Sequence, residues 1–449
     1  MAAFPRPVSE LASLVEKHTR ALEDSLQGTP GAAAFSLALG APPLVKVPAE
    51  MEATRAELVE AIDELRARIL GPMGYLTAVM LPVSALITVL HTLYSFDLPA
   101  HVPLGGSITY ADLASSCGGG LREDDARRVL QTAISFRIFE EDVPGASVRH
   151  NAVSAVFAAL PGMRDFLGLV AEEQVPAAGA FVESLRRFPG SGEPGHSALM
   201  VALREQQQRK EDKTEVEVQD PSKGLFDFIA GDAARVARFR TAMGMAAHSP
   251  AFAHTHFVDN LPWSSSSGAA AACCCPETVV DVGGAGGDIC QLVLRTHAGV
   301  RKAVSLDLPE VVAGARAPAD LEGRLEFGAY NFLTEKMARE ADAYIFRHIF
   351  HDWSDQYAAR ILGNLVPALK PGTSRVWLGE VVLPDLGCHT RDQLQRSADL
   401  LMKAGFNGKE RSKRDWESLF AQVDKRFRIV NITQPDGAQD AVIEVAFDA

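Results

Sequence analysis

Eight consecutive positions, His348–Asp355, read "HIFHDWSD" and gather two histidines, two aspartates and a tryptophan. Such a group fits a polar turn, part of a metal site, or a place where a proton leaves a substrate. His351 is the residue to weigh. Imidazole, with a reference pKa of about 6.5, accepts a proton near neutrality, whereas a phenol at about 10 stays protonated until a base assists it. A carboxylate on one ring nitrogen would orient the imidazole and stabilise its charged form, leaving the other nitrogen as the base. Glu380 in "WLGEVVLP" is the first candidate for that acid, because a carboxylate embedded in an apolar strand is costly without a partner. Glu410 in "NGKERS" is a second, although spacing alone does not bring it close. No metal is expected: "FHDW" would need ligands from elsewhere, and no cluster with metal-ligand spacing supplies them.

A second constellation is "VVDVGGAGGDI", residues 279–289, with four glycines at a strand-to-helix turn. Glycine there permits unusual backbone angles and lets a ligand approach the main chain. The dinucleotide fingerprint G-x-G-x-x-G/A fails, since counting from Gly284 its last position is Ile289. Asp307 closes the next strand in "VSLDLPE", where an acid can accept hydrogen bonds from both ribose hydroxyls. It can equally serve as a surface acid before a helix that opens at Pro309.

These residues need a scaffold. From Thr278 onward short apolar strands ("TVVDVGG", "KAVSLDL", "RLEFGAY", "DAYIFRH", "RVWLGEVVL") alternate with amphipathic helices, and "FRIVNIT" and "AVIEVAF" close as a hairpin. That order predicts an α/β domain, a doubly wound, mostly parallel sheet. Asp307, His351 and Glu380 then follow three separate strands at the carboxyl edge, where open sheets bind ligands. Upstream, residues 8–28 and 50–70 predict amphipathic helices, and residues 105–158 a helix–helix–hairpin resembling a winged helix. Glu123, Asp124 and Asp125 beside the arginines of its second helix favour dimerisation over DNA contact, as does a net charge of −13. Residues 189–223 and 264–277 read as a charged, solvated insertion and a low-complexity linker. The uncharged run Leu70–Phe96 meets the length criterion for a membrane span, but Gly71, Gly74, Pro82 and His91 favour burial in a core or a subunit interface. Six cysteines without C-x-x-C spacing and no secretory signal point to a reducing, cytoplasmic setting.

In their order, "VVDVGG", "LDLPEVV", "HIFHDWSD…ILGNLVPALKPG", "GEVVLP" and "DLLMKAGFNGKERS" resemble the caffeic-acid-type O-methyltransferases of plant and fungal natural-product pathways over residues 225–449. The resemblance implies a class I, Rossmann-like catalytic domain binding S-adenosyl-L-methionine (SAM), preceded by a winged-helix dimerisation domain. The implied domains are residues 1–165, a helical linker and substrate region over 166–263, and the SAM-binding domain over 264–449. It implies His351 as base with Glu380 and Glu410 holding it. It implies Asp281, Gly283, Gly284, Gly287, Asp307, Leu308, Asn331, Phe332, Arg347 and Ser249 around the cofactor, and Met245 and Met402 around the substrate. Two positions depart. Ala285 replaces the middle glycine of the loop D-x-G-x-G-x-G and crowds the methionine part of the cofactor. Asn331 stands where an acid is usual. The implied partners are a small aromatic or polyketide-like substrate and a second copy of the chain, with neither nucleic acid nor membrane. Two rival readings stay open: a relative that binds SAM but runs a dehydration or pericyclization, and a winged-helix regulator with a small-molecule sensor domain.

Overall fold

The computed structural model describes residues 6–27, 35–211, 220–247, 249–263, 275–385 and 390–449. They form two compact units, Met1–Val175 with Asp232–Met245, and Pro176–Gly231 with Ala246–Ala449. The three-part division with breaks at 165 and 263 differs from this. Helix Ala233–Ala247 belongs mostly to the first unit because Arg235 and Arg238 pair there with Glu172 and the buried Glu173.

In the first unit, α1 (Val8–Leu26) packs on α2 (Glu52–Ser95). Gly71 leaves helical geometry at φ 65° and ψ 173°, and Pro72 follows it, so the long helix is kinked there. Next come β1 (Ser107–Thr109), α3 (Tyr110–Cys117), α4 (Glu123–Ser135), β2 (Glu140–Glu141) and β3 (Ser147–Arg149), with antiparallel sheet order β1–β3–β2. This is the expected helix–helix–hairpin, closed over Leu93, Tyr110, Leu113, Leu130 and Phe139. On α4, Asp125, Glu123 and Asp124 pair with Arg122, Arg127 and Arg128, so the arginines there are neutralised locally. Most of the apolar run is not buried among the described residues. Only Ala61, Val89 and Leu93 of α2 are buried, while Ile69, Met73, Met80 and Leu81 are 62–75% exposed.

The second unit is built on a seven-stranded sheet. Its strands are β4 (Thr278–Val282), β5 (Lys302–Asp307), β6 (Leu325–Ala329), β7 (Ala343–Arg347), β8 (Arg375–Glu380), β11 (Phe427–Thr433) and β12 (Ala441–Phe447). Two short strands, β9 (Val382–Leu383) and β10 (Arg411–Ser412), pair in parallel beside it. The sheet order is β11–β12–β8–β7–β4–β5–β6, parallel except that β12 is antiparallel to both its neighbours. Both faces are covered, which is why the strands read as near-continuous apolar runs. Val280, Tyr344, Phe346 and Leu378 enter one core, and their sequence neighbours Val279, Ile345 and Trp377 enter the other. Chain direction across the sheet reverses between β4 and β7, and a ligand crevice is expected at the carboxyl ends there.

The reading of 189–223 as a solvated insertion needs correction. Residues 198–211 form α5 (Ala198–Glu211), whose stretch Ala198–Leu203 is buried. "ALMVAL" is an apolar helix start hidden between a Pro/Gly-rich lead and a charged end, and the lead itself is docked. Tyr357 donates to Glu193 at 2.7 Å, Ser354 to the Gly192 carbonyl, and Asn407 to the carbonyls of Ser191 and Glu193. Residues 212–219 and most of the 264–277 linker lie outside the described residues.

Candidate active site

His351 sits in a short turn, Phe350–Asp352, between β7 and α7 (Asp355–Leu365). Its Nδ1 is 3.1 Å from Glu410 Oε1, and its Nε2 is 3.6 Å from Asp352 Oδ1. The parallel β9–β10 register, Arg411 opposite Val382, brings Glu410 beside the end of β8, across 30 residues of sequence. α8 (Thr390–Phe406) helps, because Asp399 accepts from the Glu410 amide. Glu380 behaves differently from expectation. Its Oε1 accepts from the amides of Ile349 and Phe350 at 2.9 and 2.8 Å, so it fixes the backbone of the turn rather than bonding the ring. Its Oε2 is buried without a partner. Burial raises Glu380 to about 7 and Asp352 to about 6, with His351 opposing both shifts. Burial by itself would lower the His351 pKa. The charge of Asp352, the bond to Glu410 and the charges of Glu410 and Glu380 outweigh it and hold the ring well above its usual value. His351, Glu380 and Glu410 each offer a ligand atom within 4.8 Å of the others, so the same trio has the donors for a divalent ion.

The segment Asn407–Arg411 grips this turn. Asn407 adopts φ 60°, in the left-handed region that asparagine tolerates, and ends α8. Lys409 donates its amide to the His351 carbonyl, and a Cβ on Gly408 would lie 2.1 Å from that same oxygen. Arg411 is fully buried; it donates to the carbonyls of Phe350 and Trp353 and pairs with Asp355, its guanidinium resting on Trp416 of α9 (Lys413–Val423). Asp352, Trp353, Phe226 and Phe406 border a small hollow of about 20 Å³.

His348 does not serve strand packing alone. It has φ 53°, its ring stacks on His351 with centroids 5.4 Å apart, and its Nε2 bonds Asp440 Oδ2 at 2.7 Å. Arg347, expected at the cofactor, spends its guanidinium on the same Asp440 oxygen and the Phe252 carbonyl. Asp440 carries no sequence signal beyond being an acid just before the last strand, and Arg411 none beyond following Glu410.

At the end of β4, Gly283 and Gly287 adopt φ 76° and their Cβ positions are occupied by Ile349 and Phe327. A Cβ on Gly284 would clash with Asp281 and Ser305, whereas Gly286 faces open space. Ala285 takes φ 42°, a conformation that costs an L-residue roughly 1–2 kcal/mol. Asp307 accepts from the amides of Ala285 and Leu308 at 3.0 and 2.7 Å.

A family model described as the O-methyltransferase domain matches residues 274–424. The O-methyltransferase kk1A of Curvularia clavata is 31% identical over 439 residues, 97% of this chain and 96% of that protein. The chain belongs to the O-methyltransferase family. Among solved structures, OxaC in complex with SAH and oxaline superposes with a TM-score of 0.72 at 18% identity, covering 98% of this chain and 99% of that one. A protein described as a pericyclic reaction enzyme superposes at 0.65 with 18% identity, over 98% and 100%.

The cofactor of this O-methyltransferase is SAM, and the strand-end residues suit it. Asp307 uses two lone pairs on amides, and the others could accept from ribose hydroxyls. The first-turn amides of α6 (Asp288–Thr296) lack intrahelical acceptors and border the loop. Phe332, within 3.9 Å of the Gly283 Cβ position and edge-on to Trp353, forms an apolar wall. Asn331 already accepts from the Leu333 amide, which leaves its NH₂ and one lone pair. Asp281 is 2% exposed beneath the loop, bordered by Cys290, and burial pushes it up to about 7. Ser249 and Met402 are half-buried in the second unit, whereas Met245 belongs to the first and packs against Gly162.

Proposed function

We propose that this O-methyltransferase methylates a phenolic or enolic hydroxyl of an aromatic or polyketide-like natural product, with His351 as general base. The observation that carries the reading is the His351–Glu410 bond in a buried turn at the strand ends, next to the glycine loop. Bound SAM supplies an electrophilic methyl group on a sulfonium. His351 Nε2 takes the hydroxyl proton as the oxygen attacks, and Glu410 on Nδ1 holds the tautomer and shares the charge that develops. Glu380 and Arg411 keep the turn rigid, so alignment of oxygen and methyl supplies much of the rate. The aromatic side chains beside Asp352 favour a flat, apolar acceptor.

His351→Ala should lower turnover by about two to four orders of magnitude with S-adenosylhomocysteine affinity nearly intact; unchanged turnover would remove His351 as base. The strained Ala285 sustains one alternative, a SAM-binding enzyme that does not methylate. Product formed without an equal amount of S-adenosylhomocysteine would favour it. We propose a cytoplasmic homodimer, and the exposed apolar face of α2 supports the association.

A further inference from the structure

His348 and its partners form a second built site beside the base. The residue ends β7 with its amide still on the β8 ladder, bonded to the Gly379 carbonyl at 3.0 Å. It then turns into the left-handed region at φ 53°. For a non-glycine residue that conformation is strained and persists only where surrounding contacts hold it, most often at functional sites. Three contacts hold it here. Asp440, 5% exposed, takes Nε2; Arg347 holds Asp440; and Phe252 stands edge-on to the imidazole at 5.6 Å. Asp440 also holds the buried Arg347 guanidinium and stays ionised, so it accepts from Nε2–H, and burial lowers the His348 pKa so that the ring is neutral near neutral pH. Nδ1 of the neutral ring is therefore an acceptor. It is neither hydrogen-bonded among the described residues nor one of the buried unsatisfied atoms, and the side chain stays 26% exposed.

The ring beside it is the base. The two imidazoles lie 5.4 Å apart between centroids with planes only 23° from parallel. Where the two free nitrogens face the same way, oxygens that bond them at about 2.8 Å lie roughly one ring spacing apart. Adjacent oxygens on one aromatic ring are much closer together than that, while oxygens on non-adjacent carbons match.

We propose that His348 is a specificity-determining residue whose Nδ1 accepts a hydrogen bond from a second hydroxyl of the acceptor, non-adjacent to the one that His351 deprotonates, as in a 1,3-diol. This rests on the reading of His351 as base. The Arg347–Asp440 pair positions the ring, and the substrate class narrows to acceptors with two separated oxygens.

The test is calorimetric binding of three probes to the protein saturated with S-adenosylhomocysteine: 1,3-dihydroxynaphthalene, 2,3-dihydroxynaphthalene and 2-naphthol. The 1,3-diol should bind about tenfold tighter than the other two, the effect of one satisfied hydrogen bond. His348→Asn, an amide residue that tolerates positive φ, should bring the three affinities together with 2-naphthol binding unchanged. Asp440→Asn, which keeps the ring but frees its tautomer, should do the same. Equal or unmeasurable affinities in the parent protein, or a preference that survives both substitutions, would overturn the proposal. A 1,3-diol bound with the expected preference but never methylated would sink the base assignment and leave this one standing.

Discussion

His351 sits among Asp352, Glu380 and Glu410, and burial raises the first two of these acids. Its pKa is held well above the usual value, chiefly by Asp352 and Glu410 acting against burial. A base is useful only when neutral, so kcat/KM should fall as pH drops through a limb lying above 6.5. Asp352→Asn removes the strongest raising charge and should move that limb to lower pH, with the cofactor affinity unaltered. A limb that stays in place or moves upward would show that Asp352 does not act on the imidazole. Glu380 shows how little residue type alone says. An acid in an apolar strand correctly signalled a partner, but the partner is a pair of backbone amides 30 residues upstream, and no pattern in "WLGEVVLP" distinguishes an amide from an imidazole.

At the scale of elements, the turn carrying His351 is shaped by Asn407–Arg411 more than by its own helix. Gly408→Ala would place a methyl 2.1 Å from the His351 carbonyl, and the turn must move to admit it. Displacement of that order should cost about 100-fold in kcat/KM, with SAH binding retained; wild-type kinetics would show that the turn adapts freely. Arg411→Ala strips the carbonyls of Phe350, Trp353 and Lys409 of a buried donor and should destabilise the second unit, at about 1–3 kcal/mol for an acceptor left buried and unpaired, read by chemical denaturation. "NGKERS" was visible as a motif, and Glu410 within it as an acid. The grip was not, because it depends on a parallel bridge between β9 and β10, each only two residues long. Strands that short leave no periodic trace.

At the scale of the molecule, α2 is the open question in energy. A run of apolar side chains more than half exposed needs cover, at about 25 cal/mol per Å². A homodimer provides it without contradicting the kink at Gly71 or the polar residues along the helix. Sedimentation in detergent-free buffer should give a dimer, and Met73→Asp with Leu81→Asp should shift it toward monomer. A well-behaved monomeric parent would refute the dimer, and strict detergent dependence would favour a membrane surface instead. The helix is long and apolar enough for that outcome to be worth measuring.

The sequence by itself determined the sheet, its carboxyl-edge residues and the winged-helix segment, because strand alternation, glycine turns and helix periods are local signals. It also marked His351, Asp307 and the glycine loop, since each follows a strand and topology sends strand ends to one edge. Only the tertiary structure decided what each acid bonds, that residues 191–203 dock rather than wave in solvent, and that His348 stands with Asp440 beside His351. Those facts join positions 30 to 216 residues apart, and hydrogen bonds at such separations follow from register and packing, which no local pattern encodes.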